Sequence, residues 1–188
     1  MDKKKITIQI DEDDFINGFA KVHIENKFNF VNTNGKQISA KWFDYVRNFS
    51  ENGFAIVKLN GRYNFINTKG KLINGGKLWF DKINDFIDNS AKVGLNGQYN
   101  LLSIKGKLLS KIWFDDINNF VNGFSKVVLD GKYNFIDING KLILDKWFSV
   151  ADDFKNGFAK VKINGKSYKI DANGFLCEIK SIICHVSY

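Results

Sequence analysis

The residues in this sequence with the clearest catalytic chemistry are carboxylates that recur after an aromatic pair. Asp44, Asp81 and Asp115 each follow a Trp-Phe pair, and Ser149 takes the same place in a fourth copy. Pairs of carboxylates carry out the chemical steps in glycosidases. A residue that returns once per repeat is better explained by a repeated structural role, because an Asp side chain can accept hydrogen bonds from the backbone of a turn. We therefore predict that these residues cap turns, that the chain has no catalytic residues and that it is not an enzyme.

Histidine and cysteine are too scarce and too scattered for a metal site or a nucleophilic triad. His23 and His185 have no plausible nucleophile beside them in sequence, and Cys177 and Cys184 lack Cys-x-x-Cys spacing. The glycines are spaced for hairpins rather than for a phosphate-binding loop. The sequence predicts no metal and no cofactor, with Cys177, Cys184 and His185 as ordinary residues of a C-terminal cap.

A row of lysines could bind an anionic ligand. The row consists of Lys21, Lys92, Lys126 and Lys160, and Ile56 interrupts it. Aromatic residues two positions earlier, at Phe19, Phe124 and Phe158, would add the stacking surface that single-stranded nucleic acid uses. Because Lys rather than Arg dominates, bidentate readout of bases is not expected. The alternative for this candidate binding stripe is a solvated face.

A row of tryptophans is the second candidate surface. Each Trp precedes a Phe, and adjacent side chains on a strand point to opposite faces. One member of each pair is therefore expected in the core. An exposed row at repeat spacing would suit sugar stacking or a protein partner. The tryptophans are Trp42, Trp79, Trp113 and Trp147.

These rows exist because five tandem repeats fill the chain. The residue before the first strand returns every 34 to 36 positions, at Gly18, Gly53, Asn89, Gly123 and Gly157. A second glycine keeps the same spacing, at Gly35, Gly70, Gly106, Gly140 and Gly174. We predict a single repeat domain over residues 1–188. It begins with an N-terminal cap strand at 1–14 and continues with repeats at approximately 15–49, 50–85, 86–119, 120–153 and 154–188, the last a degenerate C-terminal cap.

Each repeat is predicted to contain short strands separated by tight turns. In the fourth repeat these are strand A at 124–129, a turn at Asp130-Gly131, strand B at 132–137, a turn at Asn139-Gly140, strand C at 141–144 and strand D from Trp147. Asn-Gly and Asp-Gly are the pairs that best accept the two positive φ angles of a type I′ hairpin turn. The repeat spacing also puts Ile6–Ile10 and Ser181–Val186 at strand D positions.

Short strands with such turns are typical of an all-β protein. Each repeat of a stack buries its apolar face only against its neighbours, so an open stack needs atypical caps. The sequence predicts a tandem array of five β-hairpin repeats that is open or superhelical and solenoid-like. A closed five-bladed, propeller-like ring is the alternative.

Composition narrows the class of protein further. The 188 residues carry a formal net charge of +8 and include 18 Phe, 6 Tyr and 4 Trp, which is enough aromatic area for a core. The charge suits an anionic partner or simply a soluble surface. The first residues contain no apolar segment typical of a signal peptide, and no stretch approaches the ~18–20 apolar residues of a membrane span. We therefore predict a soluble, cytoplasmic protein without membrane insertion.

The repeat resembles the WG-repeat (KWG) family of bacterial proteins over about residues 8–186. The resemblance rests on the order Gly-Phe-Ala-Lys-Val, Asn-Gly-Lys-aromatic-X-Phe-Ile-Asp, Asn-Gly-Lys and aromatic-Phe-Asp. The namesake Trp-Gly is replaced at Phe28-Asn29, Tyr63-Asn64, Tyr99-Asn100, Tyr133-Asn134 and Ser167-Tyr168. Gly and Asn both tolerate positive φ, so we predict a structural Asn row at a bulge or left-handed kink. A ladder of amides for a polar ligand is the alternative.

The family resemblance implies a binding or scaffolding module and supplies no catalytic residues. We predict a non-enzymatic protein that presents its repeat surface to another protein. A carbohydrate-binding module with exposed aromatic rings is one alternative, and a binder of nucleic acid or another anionic ligand through the Lys row is the other. The sequence carries no sign of an oligomeric state.

Overall fold

The computed structural model describes residues 9–87 and 89–179, which form fifteen β-strands and two short 3₁₀ helices. The strands are β1 (Phe19–Ile24), β2 (Lys27–Asn32), β3 (Tyr45–Val46), β4 (Phe54–Leu59), β5 (Arg62–Asn67), β6 (Lys82–Ile83), β7 (Ser90–Leu95), β8 (Gln98–Ser103), β9 (Asp116–Ile117), β10 (Phe124–Leu129), β11 (Lys132–Asp137), β12 (Val150–Ala151), β13 (Phe158–Ile163), β14 (Lys166–Asp171) and β15 (Leu176–Glu178). The 3₁₀ helices span Glu12–Asp14 and Ile73–Gly76. Neither of the helices in these two ranges has the length and apolar character that a membrane crossing requires.

The predicted all-β array of hairpin repeats is confirmed. The sheets have the orders β1-β2, β3-β4-β5, β6-β7-β8, β9-β10-β11 and β12-β13-β14-β15. The predicted strands A and B of the fourth repeat coincide with β10 and β11. The predicted type of turn between β10 and β11 is also confirmed, since Asp130 and Gly131 have φ of 50° and 69°, as a type I′ turn requires.

The contacts divide the chain into two compact bodies. The N-terminal body comprises Met1–Asn96 and Leu102–Lys107, and the C-terminal body comprises Gly97–Leu101 and Leu108–Tyr188. Whether the repeats form an open array or a closed ring stays a prediction, as do the single domain and the repeat boundaries. Of the predicted cap strand at 1–14, residues 9–14 are described and contain no strand. The predicted strand D positions Ile6–Ile10 and Ser181–Val186 lie mostly or wholly outside the described residues.

Strand D joins each repeat to the following one. The sequence places it at the end of a repeat, but it adds to the hairpin that comes next: Val46 of β3 pairs with Val57 of β4, and Ala151 of β12 pairs with Val161 of β13. The Phe just before strand D bridges back to its own repeat, as Phe43 does to Phe28. Each Trp-Phe-Asp segment therefore crosses from one hairpin to the next.

The prediction of a strand C at 141–144 is wrong, because only Leu142 forms an isolated bridge there. The backbone leaves the sheet where the carbonyl groups of Leu144 and Lys146 accept hydrogen bonds from the side chain of Asn134. The fifth repeat has Tyr168 at the Asn position, and there a regular strand, β15, pairs with β14. Among the described repeats, this segment is thus a regular strand in the one that lacks the buried amide.

Packing between successive repeats buries groups of three phenylalanines. In the N-terminal body the ring of Phe49, which follows β3, lies 4.4 Å from Phe19 and 4.8 Å from Phe30 of the first hairpin. Such aromatic pairs contribute about 0.5–1.5 kcal/mol each beyond the area they bury. The same arrangement recurs in Phe54–Phe65–Phe86 of the N-terminal body and in Phe124–Phe135–Phe154 of the C-terminal body. Packing of these hairpins on one another therefore uses Phe49, Phe86 and Phe154, each of which lies shortly before the turn that precedes the next hairpin.

Candidate functional site

The recurring carboxylates cap hairpin turns, which confirms the structural role predicted for them. The backbone N–H of Asn60 donates to Asp44 Oδ2 at 2.6 Å, and the N–H of Asn96 donates to Asp81 Oδ2 at 2.7 Å. The third copy, Asp115, accepts from Asp130 N–H at 2.7 Å. Because strand D carries the Asp into the next sheet, each carboxylate caps the hairpin of the following repeat.

Asp44 gives a prediction about acid stability. A hydrogen bond from the Lys27 side chain, together with the Asn60 N–H, lowers the pKa of Asp44 below its usual value. A lowered folded-state pKa adds stability that is complete above the unfolded pKa and is lost as pH falls through the folded value. Asp44→Asn should therefore destabilise the protein at about pH 6 and have a smaller effect at about pH 3.

Urea unfolding of wild type and variant at both pH values measures this difference. Asp145→Asn, which removes an exposed carboxylate from a loop of the C-terminal body, is the control. A destabilisation by Asp44→Asn that is as large in acid as at neutral pH would contradict the assignment.

The asparagines that stand where the Trp-Gly motif would have its glycine are buried and hold the following segment by hydrogen bonds. Asn29, Asn64, Asn100 and Asn134 are fully buried, and none has a positive φ. In each, Oδ1 accepts the N–H of the next residue and Nδ2 donates to the carbonyls of the segment that follows strand B. The predicted left-handed kink is therefore wrong, because the strands stay extended. The structural role is confirmed, and the alternative of an amide ladder for a ligand fails since the amides are already hydrogen-bonded inside the protein.

The two residues of each Trp-Phe pair differ in burial, as expected for adjacent residues on a strand. The Phe of every pair is fully buried, at Phe43, Phe80, Phe114 and Phe148. The predicted row Trp42, Trp79, Trp113 and Trp147 is half-buried throughout. Trp79 packs against a core cluster of the N-terminal body and donates from Nε1 to the Gly76 carbonyl at 3.0 Å, so its indole is part of the fold.

The lysines of the predicted binding stripe differ in their surroundings. Lys21 and Lys160 are exposed, whereas Lys92 and Lys126 are half-buried. Lys126 Nζ lies 2.9 Å from Asp153 Oδ1 and 3.2 Å from the Ala151 carbonyl of the following strand D segment. The ammonium group of Lys126 is therefore already bound by neighbouring groups of the C-terminal body.

The phenylalanines of that stripe are similarly divided. Phe19 and Phe124 are half-buried in the aromatic groups described above, while Phe158 is 51% exposed. A continuous stripe that binds an anion stays a prediction.

The N-terminal body has an open groove of about 720 Å³. It lies where β3 and β4 meet the strand D segment at the end of the second repeat, which contains β6. Its walls combine tyrosines, apolar atoms and charges of both signs, from Asp44, Tyr45, Arg47, Ile56, Lys58, Gly61, Tyr63, Asp81, Lys82, Ile83 and Asn84. We call this surface the second-repeat groove.

Two cations of the groove are held in place by neighbouring side chains. Arg47 Nη1 lies 3.0 Å from Asp85 Oδ2, and a hydrogen bond to Tyr45 followed by the Asp85 charge raises the pKa of Arg47. Lys58 Nζ lies 5.0 Å from the centre of the Tyr63 ring, within the range of a cation–π contact. The groove therefore presents positioned cations and aromatic rings to solvent.

The sequence prediction did not include the second-repeat groove. Two features of the sequence could have drawn attention to this region. Ile56 alone interrupts the Lys row, and Arg47 is one of two arginines in the chain. What makes the groove is strand D at the end of the second repeat (β6), which adds to the third hairpin, and its position next to the second hairpin is a tertiary result.

No metal-binding group is evident in residues 9–87 and 89–179, where no three His, Cys, Asp or Glu side chains cluster. Cys177 is an exposed free thiol, and Cys184 and His185 lie outside the described residues. The absence of catalytic residues and cofactors stays a prediction.

A family comparison matches the repeats themselves. The model of the WG containing repeat family matches residues 30–63, 102–133 and 135–166, together just over half of the chain. No curated protein sequence matches the chain.

Similar solved structures resemble the fold only distantly. Hsv2p of Kluyveromyces lactis is 14% identical with a TM-score of 0.38, over 85% of this chain and 58% of that one. A protein of unknown function from Bacteroides caccae is 12% identical with a TM-score of 0.28, over 86% and 78%. PorZ of Porphyromonas gingivalis, a surface component of the type-IX secretion system, is 10% identical with a TM-score of 0.36, over 91% and 26%. The chain spans about three fifths of the Hsv2 chains it matches.

Proposed function

The chain belongs to the WG containing repeat family, and on that basis we propose that it is a non-enzymatic binding protein whose partner is another protein. The second-repeat groove is the proposed contact surface. The proposal also places the protein in the cytoplasm, which is supported by a count of two cysteines, too few for the disulfide framework of a small secreted domain.

The chemical character of the groove supports a protein partner. Tyr and Arg are enriched among the residues that dominate binding energy at protein interfaces. Tyr45 is 45% exposed at the rim, and Arg47 is held beside it by Asp85. This pair of an exposed Tyr and a positioned Arg is the observation that carries the proposal.

The two alternative ligands fit the groove less well. Asp44 and Asp81 line it, and carboxylates in the wall repel the phosphates of a nucleic acid. Sugar binding uses an open aromatic face, but the ring of Tyr63 is half-buried and has Lys58 over it. A mixed-charge protein surface matches both the cations and the carboxylates.

Affinity capture with matched variants tests this function. The full chain should retain a protein from source-cell lysate after a high-salt wash, and Tyr45→Ala/Arg47→Ala should reduce that capture about tenfold or more. The control is Ile138→Ala/Lys141→Ala, which removes one exposed apolar and one exposed cationic side chain from a turn of the C-terminal body.

Nuclease treatment and polysaccharide analysis of the captured material separate the alternatives. Recovery of nucleic acid or polysaccharide alone would contradict the proposal. Equal capture by the groove variant and the control would remove the second-repeat groove as the contact surface.

A further inference from the structure

In the C-terminal body, the segment that leads into the fifth hairpin covers one face of the fourth hairpin. On the fourth repeat, Phe124 and Lys126 share one face of β10. The following segment places Phe154 against Phe124, with ring centres 4.7 Å apart, and Asp153 against Lys126 at 2.9 Å. As a result the Lys126 side chain is only 17% exposed. An Asp-Phe pair on one element and a Phe-x-Lys pair on the other form this contact.

The fifth repeat presents the same face, and no segment of residues 9–87 and 89–179 places an Asp-Phe pair on it. Phe158 and Lys160 stand where Phe124 and Lys126 stand in the fourth repeat, and Phe158 is 51% exposed. Lys169 replaces the buried Phe135, and Lys162 lies on the same face of the sheet. Within residues 9–87 and 89–179, none of these three lysines forms an ion pair. We call Phe158, Lys160, Lys162 and Lys169 the end face.

Grooves at the end face make it a place where a segment can lie. One of about 390 Å³ runs past Phe158, Lys160 and Lys169, and another of about 330 Å³ runs past Lys160 and Lys162. Asp152 lines both grooves and Asp153 lines the larger one, so lysines outnumber carboxylates in each groove without being the only charges there. The replacement of a core Phe by Lys169 makes this surface select an acidic partner over an apolar one.

The matching Asp-Phe element lies at the other end of the described chain. A bridge pairs Ile16 with Phe19 across the first turn, as a bridge pairs Lys155 with Phe158. By this register Asp14 and Phe15 correspond to Asp153 and Phe154. They end the run Asp11-Glu12-Asp13-Asp14, whose four residues are exposed, and no ion pair to a Lys or Arg is formed by them in the part that the structure describes.

We propose that the Asp11–Phe15 segment of one copy docks on the end face of a second copy, so that chains associate head to tail. Charge complementarity between four carboxylates and three lysines selects the occupant, and Phe15 meets the exposed Phe158. The two surfaces differ, so the interface is heterologous and can propagate beyond a dimer. This inference does not rest on the proposed function, because the second-repeat groove takes no part in it.

Sedimentation velocity of the full chain over a range of concentrations tests the association. Wild type should associate at low salt, and about 0.5 M salt should weaken the association about tenfold or more, since exposed charges are screened at that ionic strength. Lys160→Glu/Lys169→Glu and Asp13→Lys/Asp14→Lys should each sediment as monomers. Lys36→Glu/Lys105→Glu, which reverses two exposed turn lysines elsewhere, should behave as wild type.

A mixture of the two charge-reversed variants provides the decisive measurement. One variant keeps an intact Asp11–Phe15 segment and the other keeps an intact end face, and their two reversed surfaces also complement each other. An equimolar mixture should therefore associate although each variant alone is monomeric. Combining all four changes in one chain should restore self-association. A monomeric wild type at every concentration, a mixture that stays monomeric, or continued association of either single variant would overturn the proposal, and circular dichroism checks that each variant is folded.

Discussion

Gly70→Ala is expected to destabilise the protein by more than about 3 kcal/mol, which is the range of severe overpacking and backbone strain. Gly70 has φ of +73°, and a Cβ built on it would lie 1.7 Å from the carbonyl oxygen of Ile38 in the preceding repeat. That neighbour is backbone, so no change of side-chain rotamer can relieve the clash. The variant must push two repeats of the N-terminal body apart.

Gly35→Ala is the matched control for this effect. Gly35 occupies the same turn position in the first repeat with φ of +70°, and a Cβ there would have no atom within 4 Å. Only the left-handed conformation is penalised, at about 1–2 kcal/mol. Chemical denaturation of both variants measures the difference, and equal destabilisation would show that the close approach of the repeats contributes nothing.

The same close approach recurs where later repeats follow one another. A Cβ on Gly140 would lie 2.7 Å from the Leu109 carbonyl carbon, and one on Gly174 would lie 2.8 Å from the Ile143 carbonyl oxygen. In both cases the contacted backbone belongs to the preceding repeat of the C-terminal body. Glycine at this position is thus required by stacking as well as by the turn.

Asn134→Leu is expected to cost about 2–4 kcal/mol, because a buried polar group that loses its partner pays its full desolvation penalty. The Asn134 side chain donates to the carbonyls of Leu144 and Lys146 at 2.8 and 3.1 Å and accepts the N–H of Phe135 at 2.7 Å. A leucine of similar size fills the space and satisfies none of these groups. The loss should appear as a lower midpoint of urea unfolding.

Asn139→Leu is the control for Asn134→Leu. Asn139 is exposed in the turn between β11 and the following segment, and a surface change of this kind stays within about 0.5 kcal/mol. If Asn134→Leu were no more destabilising than Asn139→Leu, the buried amide would not be holding the segment after strand B.

Local features of the fold follow from the sequence because their causes are local. An Asn-Gly pair between two alternating apolar runs specifies a type I′ hairpin through the φ angles that its two residues tolerate. This explains why β10, β11 and the turn at Asp130 match the prediction. The capping role of Asp44 was predictable for a similar reason, since one residue per repeat indicates one structural task per repeat.

Features that depend on contacts between distant residues were not predictable in this way. Asn134 was assigned to a backbone kink, because Asn and Gly share a tolerance of positive φ. The structure instead uses its amide to bind carbonyls ten and twelve positions away. The interpretation of strand C failed for the same reason, since those hydrogen bonds remove the segment from the sheet.

By itself, the sequence determined that this protein is an all-β array of hairpin repeats of the WG type, because turn chemistry and alternation act over a few residues. Only the tertiary structure decided that strand D adds to the following hairpin, and therefore that a groove with Tyr45 and Arg47 opens between repeats. It also decided which lysines form ion pairs and which remain exposed. Lys126 pairs with Asp153, whereas Lys160 is exposed. Burial and ion pairing depend on what the next repeat brings to the contact, and spacing along the chain carries no information about that.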